Sequence, residues 1–257
     1  MCELLAMSAN VPTDVRFSFA ALSQRGGATG AHTDGWGISF YEQKGCRSIH
    51  DPSPSAHSEL ARFIKSYPIK SLIVIAHVRK ANRGRVALEN THPFSRELWG
   101  NAWSFAHNGQ LKGIKKRSLS FYAPIGTTDS EYAFCWLLDR LRGMYPTRPS
   151  DHKLAWAIAE LFEELRALGV FNALLSDGRA LYASCSTKLC YVERRAPFGP
   201  ASLIDEDMEV DFAQETTPDD RVVVLASTPL TRNETWTHVP PQTTLVARKG
   251  TIVKTLR

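Results

Sequence analysis

An α+β layered domain is the fold that this sequence predicts. Two helical segments lie together in mid-chain, strand-like segments flank them on both sides, and strict strand–helix alternation is absent. From the amino end, Pro12 to Ser23 reads as a helix that Thr13 can cap, with Gly26 just beyond its end. WGISFY at 36–41 and LIVIAHV at 72–78 read as strands, with a short helix at about 56–66 between them. WSFAH at 103–107 is a further strand that runs into Asn108 and Gly109.

Thr128 and Glu131 form a capping-box pattern, and the helix behind them carries Phe134, Leu137, Leu138 and Leu141 on one face. A second helix, about 150–168, begins at Ser150 and stops at Gly169. Leu154, Ile158, Leu161, Phe162, Leu165 and Leu168 form its apolar stripe. VFNALLSDGRALYASCS is two strands joined at Asp177-Gly178, a two-residue hairpin signal. VVVLAS at 222–227 and TTLVAR at 243–248 supply late strands. No GxGxxG or Walker A string follows a strand, which argues against a dinucleotide or nucleotide phosphate site of those types.

Composition narrows the function classes. A content of 43% hydrophobic and 22% charged residues is that of a globular chain, and 257 residues suffice for a core without staples. Apolar runs such as Leu72 to Ala76 are far short of a membrane span, and MCELLAMSAN lacks the basic start and apolar stretch of a secretory signal. The expectation is a soluble cytoplasmic protein with no membrane partner. The formal charge of +5 is small, and the basic runs RKANRGR (79–85) and KGIKK (112–116) are short, so they read as solvated loops rather than a nucleic-acid surface. Five cysteines, an odd number, argue against a disulfide framework; without CxxC, HExxH or HxH no metal site is expected. Cys135, Cys185 and Cys190 read as core thiols.

Cys2 differs, because a single residue precedes it. Removal of Met1 would leave one residue holding both a thiol and an α-amine. Such an amine titrates near pH 7.7–8.0 and can take the thiol's proton, so nucleophile and general base come together.

Four strings follow in order: HVRKANRG from His77, NTHPF from Asn90, HNG from His107 and TTDSE from Thr127. Together with Cys2 they resemble the class II glutamine amidotransferases, which are N-terminal-nucleophile hydrolases. The opening MCELLAMSANVPTD and the DGWG string are most similar to short stand-alone bacterial members. The resemblance implies a four-layer αββα sandwich of two antiparallel sheets between helices. It implies one domain over 2–251, with 252–257 as a C-terminal tail and Met1 removed. It also implies an amidohydrolase that cleaves the γ-amide of glutamine through a Cys2 thioester and releases ammonia, with no cofactor.

In that comparison Arg79 matches the arginine that pairs with the substrate carboxylate, and Asp129 the aspartate that holds the α-ammonium. Asn108 and Gly109 match the oxyanion hole. His77 and Arg25 join the substrate-binding set, while Asp34 to Gly37 fall in a supporting loop. Read on their own, Asp129 also suits a helix N-terminus and Asn108-Gly109 a turn. His77, His92 and His107 also suit hydrogen-bonded core or loop positions. The sequence departs from the family pattern at Lys80, Ala81 and Asn82, where better-known members carry an aromatic followed by small and hydroxyl residues. Hydrolysis of another γ-glutamyl amide, or a non-catalytic ligand-binding role, therefore stands beside the glutaminase reading. Expected partners are glutamine or a γ-glutamyl amide, a separate synthase subunit that accepts ammonia, and a second copy in a homo-oligomer.

Overall fold

Both faces of the opening strand are buried. The computed structural model describes residues 2–81, 85–214 and 216–257, so the expectations placed on Met1 and Asn82 lie outside the described residues. In β1 (Glu3–Asp14), Leu4 and Ala6 point into one apolar layer and Leu5, Met7 and Ala9 into another. The helix expected from Pro12 is displaced by this strand. α1 (Arg16–Gln24) starts after Asp14, whose Oδ1 accepts the Arg16 N–H at 2.9 Å, while Thr13 donates its hydroxyl to the Val11 carbonyl.

β2 (Trp36–Glu42) and β3 (Gly45–Asp51) form a hairpin. α2 (Glu59–Ser66) is capped by Ser58, whose hydroxyl accepts the Ala61 N–H at 3.2 Å. β4 (Lys70–Val78), β5 (Phe94–Leu98) and β6 (Asn101–Leu111) precede the two long helices, α3 (Asp129–Met144) and α4 (Asp151–Arg166). β7 (Gly169–Ser176) and β8 (Leu181–Cys185) are the expected hairpin. At its turn Asp177 Oδ1 accepts the N–H groups of Arg179 and Ala180, both at 3.0 Å, and Gly178 sits at φ 79°. β9 (Cys190–Arg195), a small pair β10 (Pro200–Ser202) and β11 (Glu209–Asp211), then β12 (Arg221–Ala226), β13 (Thr237–His238), β14 (Thr243–Arg248) and β15 (Thr251–Leu256) complete the chain.

The strands make two large antiparallel sheets. One runs β13-β9-β12-β1-β4-β2-β3, the other β15-β14-β8-β7-β6-β5. Residues expected as a tail, 252–257, mostly belong to β15, which pairs with β14 from Arg248↔Thr251 to Thr244↔Leu256. The sheets face each other across a layer built from Leu4, Ala6 and Leu225 on one side and Ala106, Leu174 and Ala183 on the other. α1 and α2 cover the outer face of the first sheet, and α3 and α4 that of the second. The result is the four-layer αββα sandwich, with helix stripes at Phe134, Leu137, Leu138, Leu141, Leu154, Ile158 and Phe162 buried as their spacing requires. Cys135, Cys185 and Cys190 are buried thiols. No helix among the described residues is long and apolar enough to cross a membrane.

Candidate active site

The start of β1 and the end of β6 meet where the two sheets converge. Alternation along each strand decides what faces the gap: Cys2 shares the side of Leu4 and Ala6, and Asn108 the side of Ala106. Asn108 grips the Cys2 main chain at both ends. Its Oδ1 accepts the Cys2 N–H at 3.0 Å, and its Nδ2 donates to the Cys2 carbonyl at 2.5 Å. Asn108 therefore sits in a strand, not in the turn that its pairing with glycine also suits.

The thiol of Cys2 is held by one residue at the end of β4. It donates to the Lys80 carbonyl at 3.4 Å and accepts the Lys80 N–H at 3.2 Å. Burial raises its pKa, and the Lys80 hydrogen bond and the Arg79 charge pull in the other direction without cancelling the rise. The sulfur is thus protonated at neutral pH and needs a base to become a nucleophile.

Gly109 follows Asn108 because nothing larger fits. A Cβ there would stand 1.8 Å from the Val170 carbonyl oxygen and 2.8 Å from His107 Nε2. Behind Asn108, the fully buried Asn172 donates to the Asn108 carbonyl at 3.4 Å and to Thr187 Oγ1 at 2.9 Å. Its Oδ1 takes the N–H groups of Ser186, Thr187 and Lys188. Sequence reasoning passed over Asn172, and its one visible signal was an amide in an otherwise apolar strand.

Cys2, Asn108, Gly109, Arg79 and Asp129 all line one cavity of about 680 Å³. Arg79 is a buried cation with no carboxylate partner among the described residues; its Nη1 reaches only the Asp34 and Arg85 carbonyls, at 3.4 and 3.3 Å. The DGWG loop frames it. Arg79 N–H donates to the Gly35 carbonyl at 2.7 Å, and Asp34 Oδ2 accepts the Ala81 N–H at 2.7 Å. Asp129 opens α3 and accepts the N–H groups of Leu111 at 2.7 Å and Ser130 at 3.0 Å, again without a cationic partner among the described residues. Thr128 caps α3 through the Glu131 N–H at 3.1 Å, but only half of the capping box forms. Glu131 is drawn instead to the Ile125 and Gly126 N–H groups and to Arg96.

Two residues of the expected substrate-binding set do not line this cavity. Arg25 does not line the cavity. Its guanidinium is engaged by Glu3 at 3.0 Å and Asp205 at 2.8 Å, and by Thr228 and the Pro229 carbonyl, so it anchors the start of β1. His77 is fully buried behind the wall, with its ring centroid 4.3 Å from that of His92, which does line the cavity. Among the described residues no ring nitrogen of either histidine has a partner in good hydrogen-bond geometry, and the His107 backbone gives His77 only a weak pull toward the charged form. Burial, reinforced by the charges of His107 and Arg79, lowers the pKa of His77 to about 3. His107 is bonded at both nitrogens. Val170 O can only accept, so Nε2 carries the proton (3.0 Å) and Nδ1 accepts from Ser130 Oγ (2.8 Å). Lys80 stands on the cavity wall where the family pattern has an aromatic.

Two antiparallel sheets enclosed by helices form the architecture of the N-terminal-nucleophile hydrolases. Within that class the chain belongs to the class II glutamine amidotransferases: residues 1–257 match the family described as "Glutamine amidotransferases class-II". It is 59% identical over 242 residues to "Putative glutamine amidotransferase YafJ" of Escherichia coli (strain K12), covering 94% of this chain and 95% of that protein. The crystal structure described as a predicted glutamine amidotransferase from Pseudomonas aeruginosa PA01 superposes with a TM-score of 0.79 at 48% identity, over 98% of this chain and all of that one. Glutamine phosphoribosylpyrophosphate amidotransferase from Bacillus subtilis, at 15% identity, shares the fold alone, with a TM-score of 0.62 over all of this chain and 49% of that one.

Proposed function

We propose that the mature chain begins at Cys2 and cleaves the γ-amide of glutamine, releasing ammonia. The observation that carries this reading is the pairing of unspent charges around the thiol: Arg79 and Asp129 face one cavity with Cys2, and neither has an ion-pair partner among the described residues. An amino acid supplies the two missing partners, its α-carboxylate for Arg79 and its α-ammonium for Asp129. Its side-chain amide then extends toward the sulfur.

The α-amine of Cys2 is the base. Its neutral form can donate one N–H to Asn108 Oδ1, as the main-chain N–H does now, and keep its lone pair for the thiol proton. His107 is unsuited to that task because Ser130 and Val170 occupy both its nitrogens. The sulfur attacks the γ-carbon, and the resulting oxyanion accepts from the Gly109 N–H and the second hydrogen of Asn108 Nδ2. Removing one such donor costs about 10²–10³ in rate. The amine returns its proton to the departing nitrogen, ammonia leaves, and water hydrolyses the thioester to glutamate and free thiol. In the cytoplasm the ammonia passes to a separate synthase subunit or is simply released, and two copies of the chain associate.

Ammonia release from glutamine tests the reading, with intact mass to establish the loss of Met1. Wild-type protein should turn over and be labelled once, at Cys2, by a glutamine-analogue electrophile. Cys2→Ala should do neither while remaining folded. Asp129→Ala should weaken glutamine binding yet leave iodoacetamide labelling of Cys2 intact. Turnover by a protein that keeps Met1, or by Cys2→Ala, would overturn the assignment.

A further inference from the structure

The cavity is larger and more basic than an amino acid requires. Free glutamine has about ten non-hydrogen atoms, whereas pockets of about 300–1,000 Å³ take ligands of drug size; this one measures about 680 Å³. Arg79, Lys80, Lys112, Lys115 and Lys116 line it against a single carboxylate, Asp129. A zwitterionic amino acid would neutralise Arg79 and Asp129 and leave four lysines over. Among the described residues none of those lysines is ion-paired.

Three of the lysines sit on a built turn rather than a loose loop. Lys112 N–H donates to the Leu168 carbonyl at 2.9 Å, Gly113 reverses the chain at φ 79°, and Ile114 is buried beneath α3. Lys116 N–H closes the turn on the Gly113 carbonyl at 3.0 Å, and the next residue, Arg117, lies over the Trp136 ring at 4.2 Å. Lys115 Nζ donates to the Thr127 carbonyl at 2.6 Å, two residues from Asp129. The buried isoleucine thus fixes where its charged neighbours project.

The chemistry of the substrate decides where extra atoms can go. With the α-carboxylate on Arg79 and the α-ammonium on Asp129, a γ-glutamyl compound can grow only at its γ-nitrogen. We infer that the preferred substrate is a γ-glutamyl amide whose amine portion carries a carboxylate, held by the lysines of the 112–116 turn. This inference rests on the Cys2 reading above. The step balances as for glutamine. A C–S bond forms at the γ-carbon as its C–N bond breaks, and the leaving primary amine takes the proton held by the Cys2 α-ammonium. Water then cleaves the thioester to glutamate and thiol.

The test compares kcat/KM for glutamine, γ-glutamylmethylamide and γ-glutamylglycine on the processed full chain. Methylamide and glycine leaving groups differ by the carboxylate. The expected result is an advantage of about tenfold for γ-glutamylglycine over the methylamide, expressed mainly in KM, since each partly exposed charge contact contributes only a small factor. Raising the salt concentration should erode that advantage, and the double substitution Lys112→Ala with Lys116→Ala should bring the ratio toward one. Equal kcat/KM for the charged and neutral compounds, or a ratio that ignores both salt and the lysine substitutions, overturns this inference alone. Failure of all three compounds, together with absence of Cys2 labelling, overturns the Cys2 reading and this inference with it.

Discussion

Acid should destabilise this protein through His77, and the size of the effect follows from its surroundings. The ring is fully buried, lies tilted against His92 at a centroid distance of 4.3 Å and, among the described residues, has no partner in good hydrogen-bond geometry at either nitrogen. Its folded pKa lies at about 3, whereas an unfolded histidine titrates near 6.5. The unfolded chain therefore binds a proton between those values and the folded chain does not, so stability falls as pH drops below about 6.5. Between pH 7.5 and 5.0 the loss from His77 alone is about 2 kcal/mol, or about 4–8 °C in Tm for a chain of this size. Urea unfolding at the two pH values, on wild type and His77→Leu, isolates that share. Leucine has nearly the same volume, suits a strand and cannot be protonated. The variant should lose about 2 kcal/mol less than wild type over the interval; His92, also held well below its usual value by burial, continues to contribute in both. An identical loss in the two proteins would refute the argument that His77 is kept neutral by its burial.

Two further substitutions probe the frame of the site. Gly109→Ala forces a methyl to within 1.8 Å of the Val170 oxygen, so β6 and β7 must part; a stability loss of about 1–3 kcal/mol and a sharp fall in ammonia release are expected. Wild-type melting and turnover in that variant would show that the close approach is unimportant. Arg25→Leu leaves Glu3 and Asp205 buried without their cation and should cost about 3–5 kcal/mol in urea unfolding, while substrate KM, in whatever fraction remains folded, stays near wild type. A large KM change at full stability would return Arg25 to the substrate.

Local signals were legible in the sequence and distant ones were not. Asp177-Gly178 announced its hairpin because the turn needs only its own four residues, and Ser150 and Thr128 cap their helices for the same reason. β1 escaped notice because it is buried on both faces, which erases the polar half of the strand pattern, and because Pro12 imitates a helix start. β15 looked like a tail because its alternation, Thr251, Ile252, Val253, Lys254, is that of an edge strand with one wet side. Cys2, Arg79, Asn108, Gly109 and Asp129, named from motifs, do line one cavity, because short strings such as HVR, HNG and TTDSE sit where β4, β6 and α3 open onto it. Arg25 was misplaced because its fate depends on Asp205, 180 residues away, and His77 because nothing in HVR tells which way the strand faces. The lysine turn was seen only as solvated charge, since its bearing on the cavity depends on how Ile114 packs under α3.

Cys2 hangs from one sheet and Asn108 from the other, so their 3.0 Å contact works as a caliper set on the gap between the two slabs. Behind the jaws the slabs pack through an apolar layer that includes Ala6 on the first and Ala106 on the second, each in the same row as the residue it serves. An added methyl in that row is expected to push the slabs apart and open the caliper before the sandwich unfolds. On the proposed chemistry, drift in this layer would be felt by turnover before folding, and a variant is expected to melt normally while its jaws no longer close.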